Sequence, residues 1–213
     1  MKQYKGEKGI ISLTSWKARI KTVSKTIFSL IKECPNFHIV LVLSTDEFPK
    51  KELELPENLL QFVNNDFIEI LWVKKNYKSF KKVIFTLRKY KGIPVISADD
   101  DCIYTTNYAQ NLYNEWVKTK KHIIRYTFTK RFITQGPCTL YWNVDFPIET
   151  LTDNVINASR DDDFYSKILK QKGITIHCCR YGSIPVIFHD DIKPITKNQR
   201  TKSFYKNNFK KYF

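Results

Sequence analysis

Three acidic runs stand out: Asp99-Asp100-Asp101, Asp161-Asp162-Asp163 and the shorter His189-Asp190-Asp191. The first follows the apolar segment Pro94-Val95-Ile96-Ser97-Ala98, so three carboxylates leave the end of one strand. In open α/β sheets, ligands bind beyond the carboxyl ends of the strands. If the chain stays extended there, Asp99 and Asp101 point to one side and Asp100 to the other. Two carboxylates on one side repel unless a cation lies between them. A hard divalent ion that completes its shell with phosphate oxygens suits such a pair. The plainer alternative is that these aspartates cap the next helix or solvate a loop. Asp161–Asp163 precede a helical pattern, where acids cap and complement a helix N-terminus. In a basic chain, a second acidic triplet also suits a general base, which needs a carboxylate not tied up by a metal. His189 ends an apolar strand pattern and reads either as a further metal ligand or as a satisfied polar residue. Lys78, Lys81, Lys82 and Arg88 lie on or near the helix ahead of the first triplet. One of them could neutralise a diphosphate, and the rest, Lys81 included, read as a solvated face.

These residues need a scaffold, and the hydrophobic pattern supplies one. Residues 9–13, 37–43, 68–73 and 94–98 are short apolar runs that read as buried strands. Between them, Ile20, Val23, Ile27, Leu30 and Ile31 recur at helical spacing, and Cys34-Pro35 ends that helix. Pro49 and Pro56 bracket a loop with a helical turn. Ser79 reads as the cap of a helix carrying Phe80, Val83, Ile84 and Leu87, which Gly92 ends. Residues 107–118 form another helix. Alternating strands and helices predict an α/β domain with a mostly parallel sheet. Further on, 122–127, 139–142, 174–178 and 184–188 read as strands, with a helix over 163–171.

Composition narrows the field. With 213 residues the chain suits one domain, and 42% hydrophobic residues are enough for a core, which excludes a disordered chain. Lys plus Arg is 36 against 21 for Asp plus Glu, a net charge of +15 that favours nucleic acid, an acidic membrane surface or a phosphorylated small molecule. No apolar run approaches the roughly 20 residues of a membrane span, and the first residues lack a signal-peptide pattern. Five scattered cysteines read as reduced thiols, which fits a cytoplasmic protein. His177-Cys178-Cys179 lacks the usual spacing of zinc ligands. Residues 192–213 carry seven basic side chains and no acid, interleaved with Phe204, Tyr205, Phe209, Tyr212 and Phe213. This basic, aromatic tail reads either as a solvated terminus or as an attachment to an anionic membrane surface.

Five stretches together resemble glycosyltransferases of the GT-A fold, close to glycosyltransferase family 2 of the bacterial surface-polysaccharide type. They are residues 10–20 (Ile-Ile-Ser-Leu-Thr-Ser-Trp-Lys-Ala-Arg-Ile) with Thr22-Val23 and Thr26-Ile27; Leu41-Val42-Leu43-Ser44 with Glu47-Phe48-Pro49; Lys78-Ser79-Phe80-Lys81-Lys82 with Leu87-Arg88-Lys89-Tyr90; residues 96–104 around the first acidic triplet; and Asp161-Asp162-Asp163-Phe164-Tyr165 with Gly173-Ile174. The likeness spans residues 9 to 190. It implies one catalytic domain over 1–191, followed by the tail 192–213. It also implies transfer of a sugar from a nucleotide-diphosphate sugar, with UDP the expected nucleotide, to a saccharide or lipid-linked acceptor. The expected reaction inverts the anomeric centre, uses Mn or Mg, and serves surface polysaccharide synthesis in the cytoplasm or at the inner face of the membrane. Residue by residue, Thr14 and Ser15 would lie near the nucleotide and Lys82 would face the diphosphate. Asp99 and Asp101 would approach the metal and donor, with Asp100 on ribose or metal. Asp162 would be the base, with Asp161 or Asp163 as substitutes. The acidic triplet departs from the Glu-Asp of the wider family, and Gly136-Pro137-Cys138 from a more glycine-rich loop. The competing readings are a nucleic-acid-binding protein, which the acidic clusters would disfavour, and a metal-dependent phosphoesterase using the same carboxylates.

Overall fold

The computed structural model of the protein describes residues 3–105, 107–126 and 137–179, and the backbone of Val186–Phe188. In chain order the elements are β1 (Ile10–Thr14), α1 (Val23–Glu33), β2 (His38–Ser44), a 3-10 turn (Lys51–Glu54), α2 (Glu57–Asn64) and β3 (Glu69–Val73). A second 3-10 turn (Lys78–Phe80) leads into α3 (Lys81–Lys89), β4 (Val95–Ser97), β5 (Cys102–Tyr104) and α4 (Tyr108–Thr119). After β6 (Ile123–Tyr126) and β7 (Thr139–Tyr141) come a third 3-10 turn (Ile148–Thr150), α5 (Asp153–Ala158), α6 (Asp161–Gln171), β8 (Ile176–Cys179) and β9 (Val186–Phe188).

Seven strands form the main sheet in the order β3-β2-β1-β4-β7-β6-β8, and β5 and β9 pair in a small second sheet. Strands β3, β2, β1 and β4 run parallel. Strand β7 is antiparallel to both β4 and β6, and β8 returns parallel to β6. Because successive side chains alternate across a strand, each central strand serves two cores. Ile11, Leu13, Ile39, Leu41 and Ile96 face one side, where α1 brings Val23, Ile27 and Leu30. Ile10, Val40, Val42 and Val95 face the other, where α3 brings Val83, Ile84 and Leu87. Covering both faces is what a parallel sheet demands, and it explains the unbroken apolar runs. Strands β1 and β4 meet closely at Gly9: a Cβ there would come within 2.9 Å of the Pro94 carbonyl oxygen.

The strands and long helices agree with the pattern in the sequence. Three short elements, α2, α5 and β5, were not apparent in it. Ser79 is not a cap: the chain enters a 3-10 turn at Lys78, and α3 follows with Phe80 at its N-cap and no side-chain capping bond. Among the described residues, no helix is long and apolar enough to cross a membrane. The tail 192–213 lies outside the described residues.

Candidate active site at the carboxyl ends of the strands

After Ser97 the chain leaves β4, turns at Asp100 and Asp101, and enters β5. The acidic run is therefore not extended, and the expected alternation gives way to a different split. Asp99 faces α3, where its carboxylate pairs with the Lys82 ammonium. Asp100 and Asp101 both face Arg19 in the loop after β1, whose Nη1 lies 2.6 Å from Asp100 Oδ1 and 3.2 Å from Asp101 Oδ2. Ser15 Oγ donates to the other Asp100 oxygen at 2.7 Å, and Thr26 Oγ1 donates to the Asp100 carbonyl at 3.0 Å. Both oxygens of the buried Asp100 thus accept from the protein and fix the turn. Ser15 is spent on the same task. Thr14, at the end of β1, donates to the Val42 carbonyl at 2.7 Å and ties the rims of β1 and β2 together.

Helix α3 starts at this rim and carries two consecutive buried lysines. The expectation of a solvated face fails for both, because each ammonium finds acceptors inside. Lys81 Nζ lies 3.4 Å from Glu47 Oε2 and donates to Asn76 Oδ1 at 3.1 Å. Lys82 pairs with Asp99 and lies 3.6 Å from Asp161 Oδ2. The two environments act in opposite directions on the lysines. Burial lowers the Lys81 pKa, and Glu47 only partly offsets it. Burial also opposes charge on Lys82, but Asp99, Asp161 and Asp162 together hold its pKa well above the usual value. Lys82 is therefore the bridge between the two acidic triplets.

The second triplet opens α6. Its N-cap is Arg160, with no side-chain capping bond, so the acids do not serve as the cap. Asp161 and Asp162 lie in the first turn beside Lys82, while Asp163 is exposed. Burial, then the Asp161 charge, pushes the Asp162 carboxyl well above the ordinary range, against the pull of Lys82 and of Arg160 at 3.6 Å. Asp161 Oδ2 is buried without a hydrogen-bond partner. The neighbouring Cys102 and Cys138 are buried, and burial raises both thiols, so they fill space as neutral groups. Arg19, Glu47 and Asn76 also belong to the site, with no individual role expected from sequence, and Lys81 joins them as a buried partner of Glu47 and Asn76.

The donor set tests whether a divalent ion fits. Among the described residues, no three His, Cys, Asp or Glu side chains converge as a ligand group. Asp99 and Asp101 are the accessible members of their triplet, with side chains 29% and 18% exposed against 8% for Asp100. Magnesium is commonly held by one or two carboxylates, with water and substrate phosphates completing the octahedron. Of this triplet, Asp99 and Asp101 are the carboxylates open to such an ion, one beside Lys82 and the other beside Arg19; His189 lies outside the described residues.

No protein-family model and no curated protein sequence matches this chain. Solved structures do. S. aureus TarS is similar over 84% of this chain and 36% of its own, with a TM-score of 0.56 and 12% identity. A shorter form, TarS 1-349 in complex with UDP, is similar over 80% of this chain and 57% of its own (TM-score 0.52, 13% identity). The mannosyltransferase PcManGT from Pyrobaculum calidifontis, in complex with GDP-Man and Mn2+, is similar over 81% and 55% (TM-score 0.54, 12% identity). This chain thus spans between 36% and 57% of the length of these structures. With its mostly parallel sheet and its acidic turn beyond β4, the chain has the GT-A glycosyltransferase fold.

Proposed function

We propose that the protein is a glycosyltransferase that takes a sugar from a nucleotide-diphosphate sugar and passes it to a hydroxyl of a saccharide or lipid-linked acceptor. One observation carries this reading: on a GT-A fold, a donor-side carboxylate (Asp99) and an acceptor-side pair (Asp161, Asp162) are brought onto one buried ammonium, Lys82. UDP is the nucleotide we expect, and the pathway is surface polysaccharide synthesis. The enzyme acts at the inner face of the membrane, with the tail 192–213 contributing to attachment.

The reaction is a single displacement. The acceptor oxygen attacks the anomeric carbon as the bond to the diphosphate oxygen breaks, and the anomeric configuration inverts. Asp162 takes the acceptor proton. Its burial beside Asp161 raises its proton affinity, the direction a general base needs. The Arg19 clamp fixes the acidic turn at the end of β4, where Asp99 and Asp101 would meet the donor. A divalent ion held by Asp99 and Asp101 would offset charge developing on the leaving diphosphate. Lys82, paired with Asp99 and beside Asp161, keeps the carboxylates of the two triplets in register and adds positive charge where the diphosphate would lie.

The test is release of nucleoside diphosphate from a panel of UDP- and GDP-sugars with Mn2+ and saccharide acceptors. The wild-type protein should turn over one donor class. Asp162→Asn should lose at least about 100-fold in rate, in line with loss of a general base, while still binding that donor. Full activity in Asp162→Asn would sink the base assignment, and cleavage of phosphodiesters instead of nucleotide sugars would favour a phosphoesterase.

A further inference from the structure

At the end of the sheet opposite the carboxylates, four chain segments emerge side by side. The register fixes this: Val95 pairs with Tyr141, Tyr141 with Ile123, and Ile123 with Ile176. Residues just outside that row are therefore neighbours: 88–93 ahead of β4, 142–146 after β7, 118–122 ahead of β6 and 170–174 ahead of β8. Side chains tie them together. Trp142 Nε1 donates to the Gly92 carbonyl at 3.0 Å. The Trp142 ring stacks on His122 with centroids 5.8 Å apart and meets Trp116 edge-on at 5.4 Å. The Lys120 ammonium lies 3.8 Å from the centre of the Trp116 ring. Lys172 Nζ donates to the Asp145 carbonyl at 2.7 Å.

These four segments hold eight Lys or Arg residues against a single carboxylate, Asp145. Lys91, Lys120, Lys121 and Lys170 are exposed. Between the first two segments opens a groove of about 750 Å³, with Ile84, Leu87, Val144 and Phe146 in its walls and Arg88, Lys91, Asn143 and Asp145 lining it too. The acids of the candidate active site all lie at the other end of the strands. Tryptophan and histidine rings among lysines, beside a partly apolar groove, match the chemistry of a bilayer interface: anionic headgroups for the ammoniums and apolar chains for the apolar walls. A nucleic acid would use the charge but not the apolar walls.

We propose that this basic, aromatic end of the sheet docks the protein onto an anionic phospholipid surface, independently of the tail 192–213. Docked in this way, the candidate active site faces the aqueous side, from which a water-soluble donor arrives. The experiment is co-sedimentation of the full chain with phosphatidylcholine vesicles, with and without phosphatidylglycerol. It compares the wild-type protein, Lys91→Gln/Lys120→Gln/Lys121→Gln, and a control with the same change of charge near the opposite end, Lys17→Gln/Lys21→Gln/Lys25→Gln. Circular dichroism and melting curves establish that all three are folded. The wild type should bind only the anionic vesicles, less so in high salt. The first triple variant should lose roughly 100-fold in partitioning, from the value per lysine near a charged surface, and the control should lose far less. Equal loss in both variants would show that bulk charge, not this face, binds. No loss in either, no binding to vesicles, or binding only to an RNA homopolymer would each overturn the proposal.

Discussion

Arg19 holds Asp100 and Asp101 on one nitrogen, and the Arg19–Asp100 pair is almost wholly removed from water. Breaking such a pair by removing one partner strands the other charge. Arg19→Gln should therefore cost about 3–5 kcal/mol of stability, read by urea unfolding. Asp100→Asn in the same chain should recover part of that loss, since the stranded carboxylate is gone. Full additivity of the two changes would show that the pair is not coupled. At this scale the sequence was partly legible. The two acidic triplets were visible because carboxylates directly after an apolar strand, or directly before a helix, are unusual in a chain of net charge +15. Their partners were not visible. Arg19 and Asp100 are 81 residues apart, and nothing local marks a lysine such as Lys82 as buried. The side to which each aspartate points was misjudged because it depends on a turn that the residue types alone do not fix.

Strand β3 opens with a buried acid, Glu69, and the elements around it explain why it is tolerated. His38 of β2 lies 2.9 Å from its Oε2, Tyr90 after α3 donates to the same oxygen at 2.5 Å, and Lys89 pairs with Oε1. Burial alone would raise this carboxyl, but the hydrogen bonds from His38, Lys89 and Tyr90 win and bring it down to about 2. A depressed carboxyl stabilises the fold above its unfolded pKa of about 4.3. That contribution is lost as pH falls through the folded value. Glu69→Gln should thus lower stability by about 2–3 kcal/mol at pH 7. The gap from the wild type should close between about pH 4.5 and pH 2. A gap independent of pH would mean that the loss comes from packing. The larger elements were legible because β1 to β4 are short unbroken apolar runs and α1, α3 and α4 repeat their apolar residues at helical spacing. Helices α2 and α5 have eight and six residues, too few turns for a periodic signal. Strand β5 has three residues and gains its partner from distant β9.

On the scale of the whole molecule, the sheet gathers two acidic turns at the carboxyl ends of its strands and a lysine-rich patch beside β4, β7, β6 and β8 at the other end. The net charge of +15 announces neither; it averages over both ends. That is why composition alone left nucleic acid, membrane and phosphorylated ligand open, and why the fold was needed to separate them. The central claim is that the acidic end binds a nucleoside diphosphate together with a divalent ion. Its most direct test is the melting temperature of the full chain with UDP or GDP, each with and without Mn2+. Ligand at 100 times its Kd adds about 2.7 kcal/mol to the folded state. One nucleotide should raise the melting temperature by several degrees only when Mn2+ is also present, and Asp99→Asn/Asp101→Asn should abolish that joint effect. No shift with any pair, or the same shift in the double variant, would contradict the account.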